Sequence, residues 1–485
     1  MKKRSDGRYQ ISVQCKKGRY YNMEYDLIVI GAGPAGIFAA YEATRLKPDA
    51  KVLILERGAD IYNRKCPILQ GKSKFCPKSS AGCLPACSIT CGFGGAGAYS
   101  DGKFNITTEF GGWLGEYMSA SKLLELINYV DAINLAHGAP KMITDPNTED
   151  VRLIEQKVYG AGMKLLRAKV RHLGTEINLK VMKSIFDELQ TKAEMLFSTE
   201  AADIEVENNK ATGVICTDGS LYKGKNILIA PGRDGSAWLA NILSKHGVSV
   251  TCNQVDIGVR AEVSDVIMRD INRHLYEAKL IFNSKAGMIV RTFCANPSGH
   301  VVVENHSGVM AANGHAYFDP KFGSENTNFA LLVSHKFEEP FNKPNEYARE
   351  ICKRANDLSD GGVMIQRFGD LGRGRRSTEK RIKEGFLEPT LKEARPGDLG
   401  LVLPYKTLQS IIEMTYALDK VAPGFASEHT LFYGVEAKFY SARPNLNKNL
   451  KTKIEGLYCA GDGAGVTRGL AQAGAAGVHV ARAVF

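Results

Sequence analysis

Hydrophobic positions in this chain alternate between short unbroken runs and longer stretches of helical period. Residues 25–30 read Tyr-Asp-Leu-Ile-Val-Ile, a compact apolar run of the length of a buried strand. A helical-period stretch rich in Ala fills 37–46, Pro48 and Asp49 break it, and a second apolar run occupies 51–55. Helical periodicity returns over 116–137, 151–170 and 177–194. Residues 196–206 and 211–216 read as strands joined by the turn Glu207-Asn208-Asn209-Lys210, which predicts a β-meander. Residues 226–233 form another buried strand, stopped by Pro231-Gly232. Short β-rich runs such as 287–294 and 300–304 mark the stretch 240–425. A last strand, 456–460, enters a glycine-rich turn and then an Ala/Gly-rich helix. Residues 1–22 are polar and basic, and predict a tail or an edge strand.

The turn between the first strand and the first helix is Gly31-Ala32-Gly33-Pro34-Ala35-Gly36. Gly31 permits the tight turn, Gly33 lets backbone approach a pyrophosphate, and Gly36 lets helix and strand pack closely. The helix N-terminus adds free N–H groups and a positive dipole. Glu56, at the tip of the second strand, suits adenosine ribose hydroxyls. The glycines alone are a weak signal. Strand, glycines, helix, second strand and acid in that order are a strong one for a dinucleotide. No second such unit and no internal repeat occurs, so NAD(P)H is expected only as a transient donor.

Length, 485 residues, predicts two or three domains. The composition, 44% hydrophobic and 24% charged, is that of an ordinary globular protein, and no apolar run reaches membrane-span length. No apolar segment follows the charged residues 1–6, so no secretion signal is read and a cytoplasmic location is expected. A net charge of +11 suits an anionic ligand and is compatible with nucleic acid. The basic stretch 367–383 reads as a solvated loop or as a clamp for carboxylate, phosphate or RNA.

Of eleven cysteines, Cys66, Cys76, Cys83, Cys87 and Cys91 cluster. Cys83, Cys87 and Cys91 are four apart, and a helix after Pro85 would put Cys87 and Cys91 on one face. Three readings stand: packed thiols, ligands of an iron–sulfur cluster or zinc together with Cys66 or Cys76, or a redox disulfide. The spacing matches none of the common ligand patterns.

The order of these pieces resembles the two-dinucleotide-fold flavoproteins, in the branch with a single FAD domain. The stretches 94–97, 100–103, 172–175, 291–294 and 395–399 resemble the poorly characterised prokaryotic FAD-dependent dehydrogenases. The resemblance implies an α/β fold: a discontinuous Rossmann-like FAD-binding domain with a β-meander, plus a separate mixed α+β substrate domain. The expected divisions are a tail (1–22), FAD-binding parts at 23–110, 171–239 and 426–485, a helical insertion (111–170) and the substrate domain (240–425). Residues 23–110 would carry the cysteine-rich insertion. FAD would be held by Gly31, Gly33, Pro34, Ala35, Gly36, Glu56, Arg57, Gly97, Ser100, Asp101, Ala201, Gly461, Asp462, Arg468 and Gly469. Without a histidine between 56 and 104, this loop cannot supply a histidyl–flavin bond, and FAD is expected to be non-covalent.

Arg291, His300 and His306, with His315 beside them, are the candidate acids or anion clamps near the flavin. The implied activity relays a hydride or electron pair through FAD to or from an organic, anionic small-molecule substrate. The alternatives are an electron-transfer flavoprotein with an Fe–S or ferredoxin-like partner, and a flavin-dependent nucleic-acid-modifying enzyme.

Overall fold

The computed structural model describes residues 2–3, 9–10, 20–67, 70, 72, 86–100, 102–275, 277–306, 308–317 and 320–485. Two sheets organise them. The first is a five-stranded parallel sheet in the order Leu457–Cys459, Ile227–Ile229, Leu27–Ile30, Val52–Leu55, Glu194–Leu196. Its three inner runs and the edge run Leu457–Cys459 are entirely buried, as a parallel sheet covered on both faces requires. Helices Pro34–Leu46 and Leu470–Val484 pack tightly together. A Cβ on Gly477 would lie 2.0 Å from the Ala35 carbonyl oxygen, so only glycine allows this approach. Strands Ala201–Glu207, Lys210–Cys216, Leu221–Gly224 and Tyr20–Tyr25 form a separate four-stranded meander sheet.

The second large sheet has eight strands, in the order Arg395–Pro396, Met364–Arg367, Leu431–Lys438, Val255–Ser264, Asn326–His335, Ile289–Asn296, Lys279–Asn283, Met163–Leu166. Along the central strand Val255–Ser264, side chains alternate with a period of two. Ile257, Val259, Ala261 and Val263 join Ile411, Met414 and Leu418 of helix Tyr405–Asp419 in one buried cluster. The opposite face carries Asp256, Arg260 and Glu262, all fully buried. Arg260 survives there because Glu436 accepts its Nε and Nη2 at 2.7 and 2.9 Å, and Asn328 accepts Nη1 at 2.9 Å. The hairpin of His300–His306 and Val309–His315 lies against this polar face, with Asn313 Oδ1 3.5 Å from Arg260 Nη2.

Two expectations change. The stretch 151–170 is helical only over Glu149–Gly160, after which come the strands Met163–Leu166 and Lys169–His172. Gly162, at φ +78°, follows the helix end, and the next strand alternates buried and exposed positions. The boundary at 425 also moves. Leu431–Lys438 pairs with Val255–Ser264 in the second sheet, and Met163–Leu166 forms that sheet's edge. Apolar run length cannot tell which of two sheets recruits a strand.

Candidate cofactor and substrate site

The glycine turn sits at the C-terminal ends of the parallel strands. Gly31 has φ +100°, and a Cβ there would lie 2.3 Å from the Ala230 carbonyl oxygen. A Cβ on Gly36 would fall 2.0 Å from the Gly31 carbonyl oxygen. Gly33 differs, since its Cβ position has no atom within 4 Å. Protein therefore closes the turn on two sides and leaves Gly33 facing open space. Pro34 and Ala35 then start the helix, Pro34 in its first turn.

Glu56 is buried and accepts three backbone N–H groups: Ala32 on Oε2 at 2.8 Å, and Gly58 and Gly92 on Oε1 at 2.8 and 2.9 Å. A carboxylate offers about four acceptor positions, so room for one ribose hydroxyl remains rather than a whole free carboxylate. Arg57 Nη2 lies 3.0 Å from Cys91 Sγ and 3.5 Å from Asp234 Oδ2. Ala201 is buried at the start of its strand.

The run after Gly94 closes over this turn. A Cβ on Gly95 would lie 3.1 Å from Gly33 Cα, and one on Gly97 2.6 Å from Leu470 Cδ2. Ser100 Oγ donates to the Gly97 carbonyl at 2.7 Å; Asp101 lies outside the described residues. Arg64, not singled out by the sequence, holds this loop from within. Its guanidinium donates to the carbonyls of Ser88, Ile89, Phe93 and Gly95 at 2.6–3.0 Å. A single arginine in a polar loop carries no pattern that would have flagged it.

Two strands away along the same C-terminal end of the sheet, Gly461 (φ +82°) precedes Asp462, whose Oδ1 accepts Thr467 Oγ1 at 2.8 Å and Gly469 N at 3.2 Å. Gly469 begins helix Leu470–Val484 without a side-chain cap, leaving its first N–H groups available. Gly463 touches the turn after Ala230, because a Cβ there would meet the Gly232 carbonyl oxygen at 2.2 Å. These glycines, the buried acid and the uncapped helix N-terminus fit a dinucleotide running from Gly33 to Gly469.

Across from Gly469, the polar sheet face presents a second cluster. Arg291 Nη2 donates to Asp256 Oδ2 and to Tyr440 Oη, the latter at 2.8 Å, and Tyr440 donates to the same Asp256 oxygen. Arg468 Nη1 is 3.9 Å from Asp256 Oδ2. The Arg468 guanidinium carbon lies 3.0 Å from the Tyr440 ring centroid and 4.0 Å from that of Trp113. Its backbone is pinned, with Arg468 N donating to Gly111 O at 2.7 Å. Arg291 Nε and Arg468 Nε and Nη2 are buried without a hydrogen-bond partner among the described residues. Burial pulls Arg468 down to about 10. Asp256, Tyr440 and Trp113 were missed in the sequence. A signal for Asp256 existed: within an apolar run the charges, 256, 260 and 262, all fall on the same alternating face.

The histidines do not converge. His300 and His306 stand at opposite ends of one strand, about 20 Å apart at 3.3 Å per residue. His300 Nε2 lies 3.0 Å from the Phe322 carbonyl oxygen, and Tyr317 packs edge-on against both His300 and His315. His306 pairs with Glu304 at 3.3 Å and packs on Phe439, next to Tyr440. Burial opposes the charge on Glu304, yet His306 and Lys438 hold it well below the usual carboxylate range.

Four arginines of the basic stretch have partners in the fold, although Arg373, Arg375, Arg376, Lys380 and Lys383 remain exposed. Arg375 and Arg381 pair with buried Asp370 at 2.8 and 3.2 Å, Arg373 with Glu428 at 3.0 Å, and Arg367 donates to the Arg381 carbonyl. These groups are engaged in holding 367–383 together. Among the described residues no three His, Cys, Asp or Glu form a metal-binding group. Cys76 and Cys83 lie outside the described residues, while Cys66, Cys87 and Cys91 are free thiols. The expected helix after Pro85 is a single turn closed by Cys91 N to Cys87 O at 2.9 Å. Burial pushes the Cys91 thiol up, against the pull of Thr90 and Arg57.

Two family models match. Residues 25–257 match "Pyridine nucleotide-disulphide oxidoreductase", and residues 257–439 match "FAD-dependent protein, C-terminal domain-like". Comparison with curated proteins gave no match. Among solved structures, the chain is similar to pyridoxine 4-oxidase from Mesorbium loti (TM-score 0.42, 12% identity, covering 95% of this chain and 99% of that one). It is also similar to glycine oxidase from Geobacillus kaustophilus (TM-score 0.38, 13% identity, 95% and 94% covered) and L-proline dehydrogenase from P. horikoshii (TM-score 0.38, 13% identity, 95% and 92% covered). Likenesses this loose bear on no residue and no substrate. No helix among the described residues is long and apolar enough to cross a membrane.

Proposed function

Because the chain is an FAD-dependent oxidoreductase, we propose that it oxidises or reduces an organic anion held between the flavin and the polar face of the eight-stranded sheet. FAD supplies the exchange of a hydride or electron pair. The chain's own residues bind and orient. The backbone at Gly31, Gly33, Pro34, Ala35 and Gly36 receives the pyrophosphate. Glu56, Arg57 and Ala201 receive the adenosine, and the Gly97–Ser100 region closes over the turn. Asp462 takes the ribityl chain, and the N–H groups after Gly469 meet the flavin edge. The observation that carries this reading is the Gly33 face, open in a turn otherwise sealed by backbone at Gly31 and Gly36.

Arg291 belongs to the substrate side in this reading. His306, on the strand end nearest Tyr440, is the better placed of the two histidine candidates for a proton, while His300 points to structure. With one dinucleotide unit, NAD(P)H serves as a passing donor at most. The test is equilibrium titration of the purified chain with FAD, followed by anaerobic reduction. One FAD per chain, released by denaturation and reversibly bleached on reduction, is the expected result. A chain that takes up no FAD overturns the reading.

A further inference from the structure

We propose that Arg291 and Arg468 form a subsite for a single carboxylate group of the substrate, with Asp256 and Tyr440 as positioning residues. The inference rests on the flavin reading above, and narrows the organic anion to a carboxylic acid.

The charge count is local and simple. Two guanidinium groups share one carboxylate, Asp256. Asp256 has nothing further to give: its Oδ1 already accepts Ser334 Oγ at 2.8 Å and lies 3.3 Å from Gln254 Nε2, while Oδ2 accepts Arg291 and Tyr440. Asp462 acts on Arg468 only from farther off, and its Oδ1 already accepts Thr467 Oγ1 and Gly469 N, so Asp256 is the carboxylate in direct reach of both guanidiniums. Three guanidinium nitrogens, Arg291 Nε and Arg468 Nε and Nη2, lack acceptors among the described residues. A buried donor without an acceptor loses its hydration and gains nothing, so a folded chain keeps such groups where a ligand completes them.

Neither guanidinium can swing away. Tyr440 and Asp256 grip Arg291 through Nη2, and its Nε stays buried without an acceptor among the described residues. Arg468 is wedged in the angle between the Trp113 and Tyr440 rings, which stand at 82° to each other. A planar fork of N–H donors matches a planar monoanion such as a carboxylate. The flank is apolar enough for the rest of an organic acid. The Phe293 ring lies 5.8 Å from the Arg291 guanidinium carbon, and Lys279 Nζ sits 5.1 Å from Phe293 and 4.0 Å from Phe110. Lys279 is itself paired with Glu277, so it adds no free charge.

The experiment uses the FAD-loaded protein and reads the flavin visible spectrum. Acetate, pyruvate and benzoate are titrated to tens of millimolar beside acetamide, pyruvamide and benzamide. At least one acid should perturb the spectrum saturably and bind tenfold or more tightly than its amide. Arg291→Met and Arg468→Met should each weaken that binding at least tenfold, and Arg291→Lys should recover part of it. FAD content is measured first in every variant, so loss of the cofactor is read separately from loss of the acid. Equal binding of acids and amides, no acid binding to FAD-loaded protein, or unchanged acid binding in both Met variants overturns the proposal. So does an Arg468→Met protein that binds acids normally but has lost FAD affinity, since those donors would then serve the cofactor.

Discussion

Gly31→Ala and Gly33→Ala, two residues apart, should separate folding from cofactor binding. At Gly33 the backbone has φ −81° and ψ −179°, which any L-residue adopts, and the new Cβ would meet no atom within 4 Å. Replacing such a glycine removes freedom mainly from the unfolded chain, so Gly33→Ala should raise apo-protein stability by about 0.4–1 kcal/mol. In the proposed reading, the same methyl enters the space taken by the pyrophosphate. Losing one charge-assisted backbone contact there costs about 1.5–3 kcal/mol, a fall of roughly 10- to 150-fold in FAD affinity. Gly31→Ala has the opposite profile. It meets both φ +100° and the Ala230 carbonyl oxygen at 2.3 Å, so the strand ends must part. That should destabilise the apo protein by about 3 kcal/mol. Urea unfolding of both apo proteins and FAD fluorescence titration supply the readings. If Gly33→Ala binds FAD like the parent, or unfolds as early as Gly31→Ala, the open face is not the pyrophosphate site.

Three further outcomes follow from buried charges. Arg64→Ala strips four carbonyls of their donor and should cost about 3 kcal/mol in urea unfolding, with proteolysis appearing first around Ser88–Gly95. Arg260→Met leaves Glu436 with Lys438 alone in the sheet interior and should cost about 3–5 kcal/mol, read from the same unfolding midpoint. Glu42 is opposed by burial, but Arg45, Tyr129 and Arg482 hold it down at about 2. A depressed carboxylate stabilises above its unfolded value and loses that contribution as pH falls towards the folded one. The stability gap between parent and Glu42→Gln, about 1–2 kcal/mol at neutral pH after discounting for the solvent-exposed Arg45, should therefore close between pH ~4.5 and ~2. A gap that persists at low pH would show that the ion pairs are not its source.

What the sequence made legible was local. Strand, glycines, helix and Glu56 lie within about thirty residues, and each imposes its own period or turn, so pattern alone placed them. The 461–470 turn was readable for the same reason. Arg291, Asp256, Tyr440 and Arg468 are instead assembled from three strands or strand ends and one helix entry, and nothing in the spacing of residues 256, 291, 440 and 468 announces that they meet. The histidines attracted notice by type, yet a strand separates two of them by its own length. The basic stretch likewise looked free because a sequence does not display Asp370, around which its arginines fold back. Glu56 was found as an acid at a strand tip, but its three backbone donors come from residues 32, 58 and 92, only one of them a near neighbour.

The packing of Gly477 on Ala35 has a consequence for how the protein is made. Leu27–Ile30 leaves the ribosome long before Leu457–Cys459 and the helix that covers Pro34–Leu46. At 5–20 residues per second the interval is about 20–90 s. Throughout it the early helix has an uncovered face, and Ile227–Ile229 has an unpaired edge that the final strand will later occupy. The nascent chain is therefore most exposed to misassociation, and most in need of chaperone cover, while the flavin site is still unfinished. Cofactor loading belongs after Leu470–Val484 has emerged, and a chain stalled short of residue 470 should carry the 31–36 glycine turn without ever turning yellow.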